Sequence, residues 1–230
     1  MRRLLLAAFA LAALTATAPA ADPKLSLQPD KAWKPLGDNL WFDPKSKMLI
    51  VKAEVALRDG PLEHLLCLKG TKEHESILAT KAPPRLIHAG LLLTGAEPGH
   101  PVRFEPKFEP PTGSAVSIRL EWVESGKKRS SDARSWIKDL KAKKALETDW
   151  VFAGSALFTD PQTKEKFYAA DDGDLITVAN FGSSILDLPY RSKADDSDRL
   201  YVAETPAIPE RGTVVFMYFA PKPPAAAPKK

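Results

Sequence analysis

The stretch Lys47–Leu57, KMLIVKAEVAL, sets the pattern of the fold. Its apolar positions recur at every second residue: Leu49, Val51, Ala53, Val55 and Leu57. Lys52 and Glu54 fall on the opposite face. Because successive side chains of a β-strand point to opposite faces of the sheet, this alternation, with its β-branched residues, predicts a half-buried strand.

A turn and a second apolar segment follow this strand. Arg58–Pro61, RDGP, combines a glycine with a proline and predicts a turn. Leu62–Lys69, LEHLLCLK, predicts a second strand that completes a hairpin. His64 and Cys67 are three positions apart on that strand, so they face opposite sides of the sheet. The pattern therefore disfavours a site that couples His64 to Cys67.

Three segments have features of helices. Lys72–Ala79, KEHESILA, is compatible with one or two helical turns, which the following prolines would end. Pro83–Gly95 has prolines suited to a first turn, an apolar middle and a terminal glycine, which predicts a short buried helix. Ser131–Leu146 predicts an amphipathic helix that begins at Ser-Asp. Its inward residues would be Ala133, Trp136, Ile137 and Leu140.

The other regular segments favour strands. Ala115–Glu124 alternates as clearly as the first strand, and aromatic and β-branched residues return in Asp149–Phe158, Lys166–Asn180 and Thr213–Pro221. The acidic sequence Asp171–Asp174 predicts a turn within one of them. Strands interrupted by a few helices, without regular β-α-β alternation, favour an α+β fold: a single domain with a largely antiparallel β-sheet and two or three packed helices.

The N-terminal residues predict export. Arg2 and Arg3 precede an apolar core, Leu4–Leu14, which is too short to span a bilayer. Ala18-Pro19-Ala20 then provides small residues for cleavage, and a cut after Ala20 avoids proline at the first mature position. Residues 1–20 are therefore predicted to be a signal peptide. We expect an exported, periplasmic or extracellular chain with no membrane span in its mature part.

The remaining chain divides into three parts by composition. Residues 21–39 predict an extended lead-in, residues 40–220 an α+β domain, and residues 221–230, rich in proline, alanine and lysine, a disordered tail. Loss of Arg2 and Arg3 leaves a formal charge of about +2. A nearly neutral chain lacks the basic surface that nucleic-acid binding requires, so we expect no nucleic-acid partner.

The first candidate site is a metal site near the single cysteine. Cys67, His74 and His88 offer ligands that zinc or another transition metal accepts, with Glu75 as a further one. The zinc-protease motif needs a second histidine four residues after His74, and Leu78 stands there. The fold would have to bring these residues together.

Two other interpretations of the same residues are open. Cys67 could be a nucleophile with His74 or His88 as its base and Glu75 as the residue that orients the base. Alternatively, Cys67 is a buried core residue, His74 or Glu75 binds loop backbone, and His88 is a hydrogen-bonded core histidine. The spacing alone does not choose between them.

Several segments resemble the YdjY-like domain of exported bacterial proteins. The most specific are KEHES (Lys72–Ser76), HAGL (His88–Leu91) and WVFAGS (Trp150–Ser155), and the resemblance spans roughly residues 45 to 220. It implies export and a single domain. That family has no established reaction, ligand or catalytic residues, so the resemblance implies none for this chain.

The sequence leaves two functional hypotheses. The first is a binding module that takes a protein or small-molecule partner through the corner formed by residues 64–100. The second is a metal- or thiol-dependent enzyme that uses Cys67, His74, Glu75 and His88. The first is preferred because no complete catalytic set is visible.

Overall fold

A computed structural model describes residues 26–192 and 201–222 of the chain. Strand accounts for 41% and helix for 11%, and the described residues contain one α-helix. The predicted α+β fold with two or three packed helices is therefore wrong, since the structure is predominantly β. The predicted signal peptide lies outside the described residues, as do residues 21–25 of the lead-in and 223–230 of the tail.

Sixteen strands and one α-helix make up the described part of the chain. The strands are β1 (Lys34–Gly37), β2 (Leu40–Asp43), β3 (Met48–Val55), β4 (His64–Leu68), β5 (Ser76–Thr80), β6 (Ala115–Glu124), β7 (Lys127–Asp132), β8 (Ile137–Asp139), β9 (Lys144–Ala145), β10 (Trp150–Phe152), β11 (Leu157–Thr159), β12 (Lys166–Tyr168), β13 (Asp174–Thr177), β14 (Leu186–Asp187), β15 (Tyr201–Ala203) and β16 (Val214–Pro221). The helix is α1 (Pro84–Leu93), and short 3-10 turns cover Ala133–Trp136, Ala169–Asp172 and Thr205–Ala207.

Eight of these strands close into a barrel. The pairing runs β3, β16, β6, β10, β14, β13, β4 and β5, and β5 returns to pair with β3. Neighbours are antiparallel except for the parallel pairs β13–β14 and β4–β5. The closing contact between β3 and β5 is short, with Glu54 opposite Ala79 and Val55 opposite Leu78. Closure pairs the strand edges that an open sheet would leave free.

Strand β3 has the alternation that its sequence predicts. Its inward residues Leu49, Val51, Ala53 and Val55 are buried in the main core. Ile50, on the opposite face, is also buried, because Trp33 and Trp41 pack over it together with Phe216. Both faces of the first half of β3 are thus shielded from solvent.

The predicted hairpin between β3 and β4 does not form, because β5 lies between them. The helical turns predicted over Lys72–Ala79 are wrong as well: Ser76–Thr80 is a fully buried strand, parallel to β4, with His64 opposite Ser76. A short apolar segment that is buried on all sides has the same composition in a strand and in a helix. Only its long-range pairing distinguishes the two.

The helix predicted over Ser131–Leu146 is also wrong. Ser125 and Gly126 both have positive φ angles, and they turn the chain so that β7 pairs with β6 over six residues. Such turns match the twist of a hairpin, which draws the next residues into the sheet. Trp136 then packs edge-on against Trp122, with ring centroids 5.4 Å apart, whereas Leu140 is 47% exposed.

Helix α1 forms where the two prolines predict it and lies against the barrel. Ile87, Gly90 and Leu91 are buried, and Gly90 is so close to β3 that a Cβ there would lie 2.3 Å from Leu49 Cδ1. The C-terminal end of α1 is not buried, contrary to the prediction: Leu93 is 53% exposed. Within the described residues, no helix combines the length and the apolar character needed to cross a membrane.

Candidate functional site

A buried histidine and a buried aspartate form the centre of the candidate site. His64 is the first residue of β4, Asp174 is the first residue of β13, and these two strands pair in the barrel. His64 Nε2 lies 2.8 Å from Asp174 Oδ1, and the His64 side chain is fully buried. The ring of Phe181 stacks on the imidazole at 5.4 Å with 13° between the planes. The imidazole is therefore fixed in position and orientation.

Asp174 is held as a carboxylate by three neighbours. Burial alone would raise the pKa of Asp174, but hydrogen bonds from His64 and Ser183, together with the charge of Lys72, keep that pKa below its usual value. Ser183 Oγ donates to Asp174 Oδ2, and Lys72 Nζ lies 3.6 Å from Oδ1. Because an ionised carboxylate only accepts hydrogen bonds, His64 Nε2 carries the proton that the two share.

The second nitrogen of His64 is buried and has no hydrogen-bond partner among residues 26–192 and 201–222. That atom is Nδ1. Within the described residues, one group of three metal-ligand side chains has its ligand atoms within 4.8 Å of one another: Glu63, His64 and Glu75. We call Glu63, His64, Lys72, Glu75 and Asp174 together the His64 corner.

The backbone brings the two glutamates of the corner together. The amides of Glu63 and His64 both donate to the carbonyl of Glu75, each at 3.1 Å. The carbonyl of Glu63 in turn accepts from Val178 at 2.8 Å. The start of β4 is thereby tied to the start of β5 on one side and to the end of β13 on the other. His64 and Asp174 are therefore part of the barrel itself, whereas Lys72 and Glu75 lie on the loop that precedes β5.

A second buried carboxyl lies in the segment that carries Phe181 and Ser183. Asp187 Oδ1 accepts from Thr177 Oγ1 at 3.0 Å and from Asn180 Nδ2 at 3.1 Å, whereas its Oδ2 makes no hydrogen bond. Burial raises the pKa of Asp187 to about 7, even though these donors oppose the shift. This network fixes the path of the chain from β13 to β14.

Cys67 lies in the core beside the corner. It is fully buried on β4, opposite Asp174 on β13 and Ala79 on β5. Burial raises the pKa of its thiol, and the nearby Ser76 hydroxyl offsets only part of that shift. A raised pKa disfavours the thiolate, which is the nucleophilic form. The surroundings of Cys67 are those of a structural cysteine.

The two histidines of the predicted site lie in different surroundings. The side chain of His74 is 73% exposed, with Nε2 3.6 Å from Glu75 Oε1. His88, on α1, has its Nδ1 2.9 Å from the Tyr168 hydroxyl and packs edge-on against Phe152, and burial lowers its pKa. Cys67, His74 and His88 are not among the ligand groups that the described residues bring within 4.8 Å. Of the predicted residues, only Glu75 belongs to such a group.

Sequence reasoning set His64 aside and assigned Asp174 to an acidic turn. The only signal for either was a charged or titratable residue at a position that the strand pattern would bury: His64 within EHLLCL and Asp174 immediately before LIT. Buried polar groups normally have a partner, so each of them implied one elsewhere in the chain. Nothing in the sequence indicated that they partner each other across 110 residues.

The fold and the corner define a class of protein: a closed β-barrel whose strand ends hold a buried imidazole–carboxylate pair. The family model described as the YdjY domain matches residues 40–220, and the chain belongs to that family. Comparison with curated proteins and with solved structures gave no match.

Proposed function

We propose that this chain is an exported binding module and that the His64 corner is its binding site. One observation carries the proposal: in the buried His64–Asp174 pair, His64 Nδ1 has no hydrogen-bond partner. A buried polar atom without a partner costs about 1–3 kcal/mol, and burying charges costs more. A ligand that engages Nδ1 would remove that cost.

The contacts of the corner favour binding over catalysis by a nucleophile. Ser183 donates its hydroxyl proton to Asp174 and not to the imidazole, so His64 does not activate it. Burial disfavours the thiolate of Cys67. A serine or cysteine nucleophile is commonly activated by an adjacent histidine, and the hydrogen bonds of the described residues do not pair Ser183 or Cys67 with one.

The ligand would be small and would enter beside Lys72 and Glu75. The side chain of Lys72 is 32% exposed and that of Glu75 is 13% exposed, whereas His64 is fully buried. Because these two side chains are the more exposed members of the corner, a ligand would have to pass beside them. Because His64 is fully buried, only a ligand of a few atoms, or one group of a larger partner, would reach it.

Export is part of the proposal, and its support is the sequence of residues 1–20. The arginine pair, the short apolar core and the small residues before Ala21 are the three parts of a signal peptide. The binding module would then act in the periplasm or outside the cell.

A metal-dependent enzyme is the second candidate, and Glu75 is the feature that favours it. Glu75 belongs to the predicted catalytic set and also lies in the ligand group with Glu63 and His64. This candidate depends on a metal at the corner.

Native mass spectrometry of protein purified from its own host, without chelators, tests the binding module. We expect a mass above that of the polypeptide, retained in His74→Ala and lost in His64→Gln and in Lys72→Met. His74 is the matched control because it is exposed on the same loop as Lys72.

A protein that carries only the polypeptide mass, and whose melting temperature is unchanged by divalent cations, carboxylates and phosphate, would contradict the proposal. Loss of the bound mass in His74→Ala to the same degree as in His64→Gln would place the site elsewhere.

A further inference from the structure

The donor atoms at the His64 corner suit a metal ion. We propose that Glu63, His64 and Glu75 bind one divalent transition-metal ion, with His64 acting through Nδ1. The inference rests on the proposed binding function and names the ligand of that site. The set differs from the one that the sequence suggested, because it excludes Cys67, His74 and His88.

The tautomer of His64 is the first step of the argument. Nε2 lies 2.8 Å from Asp174 Oδ1, and a neutral imidazole that donates its Nε2–H to that oxygen has its lone pair on Nδ1. That lone pair is buried and receives no hydrogen bond. A neutral imidazole nitrogen with a free lone pair is the form of histidine that binds metals.

The contact between Asp174 and His64 is itself typical of metal sites. A ligating histidine commonly donates its other N–H to a carboxylate, which fixes the tautomer and makes the free nitrogen a stronger donor. Asp174 lies 2.8 Å from Nε2, and Phe181 stacks on the ring. The protein's own contacts therefore orient the imidazole.

Distance is the third step. The ligand atoms of Glu63, His64 and Glu75 lie within 4.8 Å of one another. Ligands about 2.1 Å from a tetrahedral zinc ion are separated by about 3.4 Å. The ligand atoms therefore need to approach one another by at most about 1.4 Å, a distance that changes of side-chain torsion angle cover.

The oxygen and nitrogen atoms at the corner are ligands that a divalent cation accepts. Glu63 and Glu75 offer carboxylate oxygens beside the imidazole, and Lys72 Nζ lies 3.6 Å from Asp174 Oδ1. One imidazole and two carboxylates suit zinc, manganese or ferrous iron, whereas a softer metal would require the sulfur of a cysteine. Three protein ligands leave at least one position open for water or an exchangeable ligand.

Isothermal titration of the chelator-treated protein with zinc chloride and with manganese chloride tests the inference. We expect one equivalent of metal to bind to the wild type, and Glu75→Gln and Glu63→Gln to weaken binding at least tenfold. These substitutions keep the size of each side chain, so the fold should survive, and circular dichroism would check that it does. His74→Ala and His88→Gln are controls and should bind within twofold of the wild type.

Cobalt substitution separates this site from the thiolate set. Cobalt held by carboxylates and imidazole shows visible d–d bands without the intense ultraviolet charge-transfer band of a cobalt–thiolate bond. That band, if it appeared, or unchanged affinity in Glu75→Gln, would overturn the assignment. A wild-type protein that binds no metal would overturn the metal proposal. If that protein still binds another ligand, and His64→Gln loses it, the proposed binding function stands.

Discussion

His64 and Asp174 are 110 residues apart in sequence and 2.8 Å apart in the core, Nε2 to Oδ1. Their strands, β4 and β13, are neighbours in the barrel, so the pair joins two parts of the chain that the sequence gives no reason to connect. The hydrogen bond between them connects the two strands and also fixes the position of the imidazole in the candidate site.

Loss of the His64–Asp174 hydrogen bond should destabilise the fold. Asp174→Ala removes the acceptor of His64 Nε2 and leaves that buried N–H without a partner, so we expect the free energy of unfolding to fall by about 1–3 kcal/mol. Urea denaturation measures it. Asp171→Ala is the control, because Asp171 pairs with Arg85 at the surface and should contribute less than about 1 kcal/mol. Equal losses in the two variants would contradict the role of the buried pair.

Asp187 should make stability depend on pH. Its folded-state pKa is about 7, whereas an unfolded aspartate titrates near 3.9. Between about pH 4 and pH 7 the folded protein holds a proton that the unfolded chain has released. Asp187 therefore lowers the free energy of unfolding as the pH rises, by at most about 1.4 kcal/mol per pH unit.

Asp187→Asn mimics the protonated side chain and removes this contribution. Urea denaturation across that range should show the variant gaining stability relative to the wild type as the pH rises. Asp160→Asn is the control: hydrogen bonds from the backbone amides of Thr163 and Gln162 lower the pKa of Asp160, so its effect lies below about pH 4. A constant difference between Asp187→Asn and the wild type would show that Asp187 titrates normally.

Cys67 should react only when the protein opens. Its thiol is fully buried and burial raises its pKa, so a disulfide reagent should label the native protein at the rate of unfolding and the urea-unfolded protein at once. The absorbance of the released thiolate follows the reaction. Rapid stoichiometric labelling of the native protein would support the thiol-enzyme hypothesis instead.

Two glycines with positive φ should differ sharply in their tolerance of alanine. A Cβ at Gly113 would lie 2.1 Å from the carbonyl oxygen of Phe152, whereas a Cβ at Gly126 meets nothing within 4 Å. Gly113→Ala should cost about 3 kcal/mol or more, since backbone must move, and Gly126→Ala about 1 kcal/mol of backbone strain. Thermal denaturation would compare them, and similar losses would mean that the chain near Phe152 is free to shift.

The predicted signal peptide, residues 1–20, can be tested separately. Intact mass and N-terminal sequencing of secreted protein should show Ala21 as the first residue, and Ala20→Phe should leave the precursor uncut, because cleavage needs a small residue there. Full-length wild-type chain confined to the cytoplasm would refute export.

Local pattern was enough to identify β3, β4, β6 and α1, because each has a clear period or clear helix-end residues. It failed for Ser76–Thr80 and for Ser131–Leu146. The first is apolar on both faces, so it has no period that marks a strand, and the second has helical spacing that the Ser125–Gly126 turn overrides. In both segments the decisive interaction is a pairing with a distant strand, which local propensity does not contain.

The residues of the candidate site, like the strands, could be predicted only in part from the sequence. Glu75 could be found from residue type alone, but His64 was set aside because strand alternation places it opposite Cys67. The side chain of His64 instead contacts Asp174, on the neighbouring strand β13, and Phe181, between β13 and β14. Both contacts depend on the pairing of β4 with β13. The site could therefore not be predicted before the order of the strands was known.

Strand β16, Val214–Pro221, sits between β3 and β6 and pairs with both along most of its length. Until this last described strand has been synthesised, β3 and β6 lack the neighbour that joins them and the barrel cannot close. Contacts that span most of a chain form slowly, because the closure entropy is spent before any pairing compensates for it. We therefore expect the barrel to close only after residues 214–221 have been synthesised, and this delay would suit the proposed export, in which the chain crosses a membrane unfolded.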